Sequence, residues 1–236
     1  MAQQSNDRPP PRILPLGDMA LTVEFGDAIA PDINDRVLTF AEALGDARLP
    51  GIEEVVPTYR SATVYFDSLL MDMQTLTAHV RDILALSAPH ARRTGTTHTI
   101  PVLYGGTAGP DLEDVANRAG LTPDDIVTLH TSVVYRVYML GFSPGFPYLG
   151  SVPDRLVMPR LATPRKLVAA GSVGLVGAQT GIYPQDSPGG WRIIGRTPAR
   201  IFSLSGAKPF LLAPGDQVRF VSIDEGEFDS LSEDVQ

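Results

Sequence analysis

Glycine and proline constrain this chain more than any other feature. From Val133 onward the sequence is a series of strand-like segments, "VVYRVYMLGF", "KLVAAGSVGLVG", "GGWRIIGRTPARIFSL" and "LLAPGDQVRFVSI", each punctuated by Gly or Pro. Pro lacks the amide hydrogen that a helix interior needs, and Gly carries the largest backbone entropy cost on ordering. Repeated short strands with such punctuation predict a closed or nearly closed β-barrel.

The N-terminal third reads differently. "ILPLGDMALTVEFG" predicts two short strands about the turn Gly17-Asp18, and "DINDRVLTFAEAL" has helical spacing at Ile33, Val37, Leu38, Phe40 and Leu44. "IEEVVPTYRSATVYF" gives two more strands with a break near Pro57, "MQTLTAHVRDILAL" a second amphipathic helix and "THTIPVLYGG" a closing strand. Strand, helix, strand, strand, helix, strand is the split βαβ order of a ferredoxin-like domain. The sequence therefore predicts an α+β chain with a ferredoxin-like domain over residues 12–95 and a β-barrel over 96–223, with disordered tails at 1–11 and 224–236. The polar, aperiodic "HARRTGT" marks the boundary near residues 90–96. A short helical insert follows "THTIPVLYGG": Asp111 is expected to cap "DLEDVANRA", which Gly120 ends, and Thr122 with Asp125 to cap "PDDIVTLH".

At 236 residues the chain can bury a substantial core. No apolar run reaches the roughly 18 residues of a membrane span, and the N-terminus has no basic start followed by an apolar core, so the cytoplasm is the expected compartment. With no cysteine, disulfides, thiol catalysis and cysteine-based zinc sites drop out, and no H-E-x-x-H pairing occurs, so no metal site is expected. The net charge of −8 comes largely from residues 224–236, which hold six acids and no base. Within the nearly neutral body, residues 155–200 carry Arg155, Arg160, Arg165, Lys166, Arg192, Arg196 and Arg200 against the one acid Asp186, a candidate anion site. An acidic chain without a recognisable binding motif argues against nucleic acid.

The stretch "GFSPGFPYLG", 141–150, opens with the G-x-S-x-G of a hydrolase nucleophile elbow. That motif needs the backbone N–H of the residue after the serine for its oxyanion hole, and a helix beyond it. Pro144 has no N–H, the following residues are too rich in Pro and Gly for a helix, and all four histidines precede Ser143. Ser143 is therefore not read as a nucleophile. "GSVGLVG" lacks the Gly-Lys-Ser/Thr of a phosphate loop.

"GFSPGFPYLG", "GSVGLVGAQTGIYPQDSPGGW" and "IGRTP" together closely resemble the allophanate hydrolase subunit 1 family, which includes the B subunit of 5-oxoprolinase and a KipI-type inhibitor of a sporulation histidine kinase. The resemblance runs from about Ile13 to Ser222. It implies an N-terminal α/β domain, a cyclophilin-like barrel and a companion chain, the family's C subunit. The function it implies is that of the B subunit of a 5-oxoprolinase that, with subunits A and C, couples ATP hydrolysis to opening 5-oxo-L-proline. On that reading the chain itself binds no cofactor and is inactive alone, ATP being used by the assembled complex. A KipI-type kinase inhibitor and a carboxyltransferase-like component of a biotin-dependent urea carboxylase are the competing readings. Arg196 and Arg165 are the candidate anion contacts, Gln179 and Thr180 present polar groups to a ligand, and Tyr183 and Trp191 wall a pocket. Phe142, Phe146 and Tyr148 are the candidate partner interface, because aromatic residues are enriched in interface cores. His130 is read as structural, and no catalytic residue is assigned.

Overall fold

A computed structural model describes residues 10–86, 95–205 and 208–233. The chain divides into two compact units, residues 1–93 and 94–236. The first contains β1 (Arg12–Pro15), β2 (Ala20–Glu24), α1 (Pro31–Asp46), β3 (Ile52–Pro57), β4 (Ser61–Phe66) and α2 (Met73–Leu86). Its sheet has the order β1-β2-β4-β3, antiparallel throughout. Pro31 opens α1 at a position where its missing N–H costs nothing. Ile33, Val37, Phe40 and Leu44, on one face of that helix, are buried with Leu21, Val23, Val64 and Phe66 of the sheet.

The second unit contains β5 (Thr97–Tyr104), α3 (Leu112–Ala119), α4 (Pro123–Thr131), β6 (Val134–Leu140), β7 (Pro147–Gly150), β8 (Arg165–Val168), β9 (Ser172–Val176), β10 (Gln179–Ile182), β11 (Ser187–Gly189), β12 (Arg192–Arg196), β13 (Gln217–Ser222) and α5 (Glu225–Glu233). Seven strands close a barrel in the order β10-β7-β6-β13-β5-β12-β9, with β9 pairing back onto β10. The β5–β13 pair is parallel and the others antiparallel. Alternation sets the inside: Val218 and Phe220 are buried while Arg219 between them is exposed. The barrel core continues into Leu112, Val115, Ala116 and Ile126 of the two short helices.

The fold corrects two sequence expectations. Thr97–Tyr104 does not close the N-terminal sheet; it lies in the barrel between β12 and β13, and β1 takes the edge beside β2. Hydrophobic alternation identified the strand but carries no information about its partner. The acidic tail is also not wholly disordered: α5 forms there because Asp224 and Glu227 cap each other reciprocally, Glu227 N–H to Asp224 Oδ1 at 2.8 Å and Asp224 N–H to Glu227 Oε2 at 3.1 Å. Residues 1–9 of the other tail lie outside the described residues. Thr122 and Asp125 form the expected capping box of α4, and no helix among the described residues is long and apolar enough to cross a membrane.

Candidate functional site

The loop 141–146 joins β6 to β7 as an antiparallel hairpin, with Leu140 opposite Pro147. Phe142 and Gly145 both take positive φ, 67° and 80°. Gly145 is required twice over, because a Cβ there would also sit 2.9 Å from Cβ of Phe202. Phe146 N–H donates to Ser143 O at 3.0 Å, closing the turn. A strand and not a helix follows Ser143, and its buried Oγ has no hydrogen-bond partner. A buried hydroxyl without a partner is destabilising by about 1–3 kcal/mol. Ser143→Ala is therefore expected to fold at least as stably as the parent and to keep the assembled activity within about tenfold. A thousandfold loss of turnover in an intact assembly would restore the nucleophile reading.

Phe146 is the centre of a small aromatic core. Its ring centroid lies 5.6 Å from Phe142, 5.0 Å from Tyr148, 5.2 Å from Tyr183 and 5.2 Å from Trp191. With Phe146 and Tyr183 each 1% exposed, and Trp191 5%, these three residues pack with Val168 and Ile193 inside the unit. Phe146 thus holds the loop from within and is not a docking surface. Tyr183 and Trp191 are aromatics of this small core, and the Tyr183 hydroxyl reaches the backbone of Gly189. Phe142 is the exposed member of the set, at 65%, and Tyr148 is half-buried.

Three of the seven bases in residues 155–200 are engaged from outside their own window, two of them by carboxylates. Arg165 Nη2 donates to Asp111 Oδ1 at 2.6 Å, and the other oxygen of Asp111 accepts the Ile193 N–H at 2.6 Å. Arg192, buried, donates to Asp114 through Nη1 and to the Pro159 carbonyl through Nε at 3.0 Å. Arg118 and Arg192 beside it hold the Asp114 carboxyl below the usual range. Arg155 donates to the Ala119 carbonyl at the end of α3, at 2.7 Å. Gly109 makes this arrangement possible. A Cβ there would lie 2.0 Å from Ile194 O, so glycine alone lets the chain press on β12 and deliver Asp111 to Ile193. Arg165 is accordingly an ion-pair residue and not an anion contact. Asp111 does not cap α3 with its side chain as expected, because that carboxylate is committed to β12 and Arg165.

Arg196, at the end of β12, is exposed and donates its Nε to the Ala170 carbonyl at 2.9 Å. It does not sit in a water-poor pocket. Arg196→Ala is expected to change kcat/KM of the assembled enzyme less than about fivefold, in the range of exposed charges. A hundredfold loss with unchanged melting would place Arg196 on the substrate. Gln179 is half-buried on β10. Thr180, 0% exposed, faces inward: it accepts from His130 Nε2 at 2.9 Å and donates to Gly174 O at 3.1 Å, so its one proton is committed and its oxygen is out of a ligand's reach. His130 is structural, as its position near a helix end suggested. Tyr104 bonds its Nδ1 at 2.7 Å, and burial lowers its imidazole to about 3.

The family profile described as "Carboxyltransferase domain, subdomain C and D" matches residues 11–212. The B subunit of 5-oxoprolinase from Bacillus subtilis (strain 168) is 38% identical over 229 residues, covering 93% of this chain and 95% of that protein. This chain belongs to the 5-oxoprolinase B subunit family. Crystalline TTHA0988 is 38% identical with a TM-score of 0.78; the match covers 87% of this chain and 40% of that one, so this chain spans less than half of that protein. The urea amidolyase of K. lactis shares the fold alone, with a TM-score of 0.80 at 20% identity over 99% of this chain and 16% of that one. Relation to the 5-oxoprolinase B subunits thus extends over both units of the chain.

Proposed function

We propose that this chain is the B subunit of an ATP-dependent 5-oxoprolinase, acting in the cytoplasm with subunits A and C and inactive without them. The similarity to a 5-oxoprolinase B subunit over nearly the full length of both chains carries the reading. In fold terms the second unit is a cyclophilin-like barrel and the first a ferredoxin-like variant whose closing edge is β1.

The chemistry explains why a multi-subunit site is needed. A lactam is a poor electrophile. Transfer of the γ-phosphoryl group of ATP to the lactam oxygen, with release of ADP, activates the ring carbon. Water adds there and the C–N bond breaks with the nitrogen taking a proton. A second water then releases phosphate from the acyl phosphate, leaving L-glutamate. Donors aimed at the developing charge accelerate each step. Arg196 and Gln179, exposed and half-buried, keep polar groups accessible, but an exposed arginine of this kind contributes to attraction at the surface and not to stabilising the reacting charge.

The C subunit docks on the apolar surface around Phe142. The 141–146 loop packs on the segment where Phe202 and Phe210 stack at 5.3 Å, and Leu204 and Phe210 there are exposed as well. Phe142→Asp is expected to weaken co-elution of the two subunits by about thirtyfold or more, the scale of an interface hot spot, without lowering the melting temperature. Unchanged co-elution would move the interface elsewhere. The functional test is genetic: cells supplying subunits A and C should convert 5-oxoproline only when this chain is restored, and conversion without it would overturn the assignment.

A further inference from the structure

Of the seven bases in residues 155–200, Arg155, Arg165 and Arg192 are taken by α3 and the residue before it. Arg160 is exposed, and no acid among the described residues pairs with it. Its backbone is nevertheless fixed on both sides. The Pro159 carbonyl accepts Arg192 Nε at 3.0 Å, and Leu161 N–H donates to Gly190 O at 2.9 Å. Arg160 therefore hangs over the start of β12, where a Cβ on Gly190 would meet Arg160 Nε at 3.8 Å. On the adjacent residue, a Cβ on Gly189 would lie 2.3 Å from the Tyr183 hydroxyl. Guanidinium and phenol thus stand over consecutive bare glycines. Gly190 has no positive φ, and its Cβ would make only ordinary contacts, 3.7 Å to Pro164 being the nearest. Neither backbone conformation nor crowding demands glycine there; a methyl group would simply fill the space beside Arg160.

We propose that Arg160, the Tyr183 hydroxyl and the bare backbone of Gly189-Gly190 form a binding site for the carboxylate of a small organic acid, with Tyr148 as its aromatic wall. Tyr148 and Tyr183 both lie within electrostatic reach of Arg160 and of each other. Burial raises both phenols, so each keeps its proton at neutral pH. A planar cationic fork beside a neutral phenol, with no acid alongside, matches a single carboxylate, which an arginine engages through two parallel bonds. A phosphate dianion calls for more than one free cation, and Arg165, the other arginine near Tyr183, is committed to Asp111. Which carboxylate it takes rests on the proposed function, under which it is that of 5-oxo-L-proline.

Trp191 is the single tryptophan of the chain and lies 6.0 Å from the Tyr148 ring, so its fluorescence reports on the site. The full chain would be titrated with 5-oxo-L-proline, L-glutamate, acetate, inorganic phosphate and 2-pyrrolidinone, the lactam ring without a carboxylate. The expected result is a saturable change with 5-oxo-L-proline, none with 2-pyrrolidinone, and a Kd raised at least about tenfold by Arg160→Ala, which removes a charge-assisted contact. Gly190→Ala, which the ordinary Cβ contacts allow to fold, should raise it similarly, and Arg160→Lys less. An unchanged Kd in Arg160→Ala, equal binding of 2-pyrrolidinone, phosphate binding more tightly than any carboxylate, or no Arg160-dependent signal with any of the carboxylates would overturn the site. Arg160-dependent binding of L-glutamate or acetate without 5-oxo-L-proline would keep the site and overturn the 5-oxoprolinase reading.

Discussion

Acidification from pH 6.5 towards 3 is expected to destabilise the barrel unit steeply, and His130→Gln to remove much of that dependence. Thr180 gives its proton to Gly174 O, so His130 Nε2 must donate to Thr180 Oγ1, and Nδ1 accepts from Tyr104. Every position is filled by the neutral imidazole. Burial lowers its folded pKa to about 3, whereas the unfolded chain titrates near 6.5. The unfolded state therefore takes up the proton first as pH falls. The His130 contribution is fully present above about pH 6.5 and declines by roughly 1.4 kcal/mol per pH unit below it, until the folded state protonates near 3. Carboxylates begin to contribute below about pH 5 and the other three histidines are common to both proteins, so between about pH 6.5 and 5 the difference between parent and variant reports His130. Gln keeps one donor and one acceptor without titrating. Urea midpoints of parent and variant should converge as pH falls; parallel curves across that window would show that His130 does not govern acid stability.

Asp111→Ala is expected to cost about 3 kcal/mol. The change leaves Arg165 without its carboxylate and the buried Ile193 N–H without an acceptor. Removing one partner of this partly buried ion pair costs less than the several kcal/mol of a fully buried one, and an unsatisfied buried amide alone costs about 1–3 kcal/mol. For a unit of this size the melting temperature should fall by roughly 6–12 °C. Asp111→Asn, which keeps an oxygen for Ile193, should lose less. Calorimetry on the three proteins measures this, and a loss below about 1 kcal/mol for Asp111→Ala would mean that the Arg165 pair is solvated and weak.

How much of the fold and the site is legible in the sequence depends on range. Most signals that act within a few residues read correctly: the α1 face at Ile33, Val37, Phe40 and Leu44, the Thr122–Asp125 box and the strands of the barrel, though not the Asp111 cap. The Asp224–Glu227 capping pair is equally local but is obscured when the tail is read as net charge. Long-range pairing does not read. Thr97–Tyr104 alternates like any edge or barrel strand, and its partners sit far along the chain in β12 and β13. The excess of bases in residues 155–200 looks like an anion site because its counter-charges, Asp111 and Asp114, lie at the start of α3, outside any window drawn around the arginines.

The aromatic residues mislead for a related reason. Phe142, Phe146 and Tyr148 are seven positions or fewer apart, yet one is exposed and one buried, because the positive φ of Phe142 and Gly145 turns the loop between them. Composition gives no warning of that turn. Arg160 is visible in the sequence only as one of seven bases. What separates it is the subtraction of those that the α3 segment neutralises, together with the two glycines beneath it, and both facts need coordinates.

Reconstitution tests most directly whether this chain is an indispensable part of a 5-oxoprolinase. Purified subunits A and C and this chain would be mixed with 5-oxo-L-proline and ATP, and L-glutamate release measured with each chain omitted in turn. The expected result is release from the three together and none above background from this chain alone or from A and C without it. Glutamate release at full rate from the isolated chain, or undiminished release in its absence, would contradict the assignment.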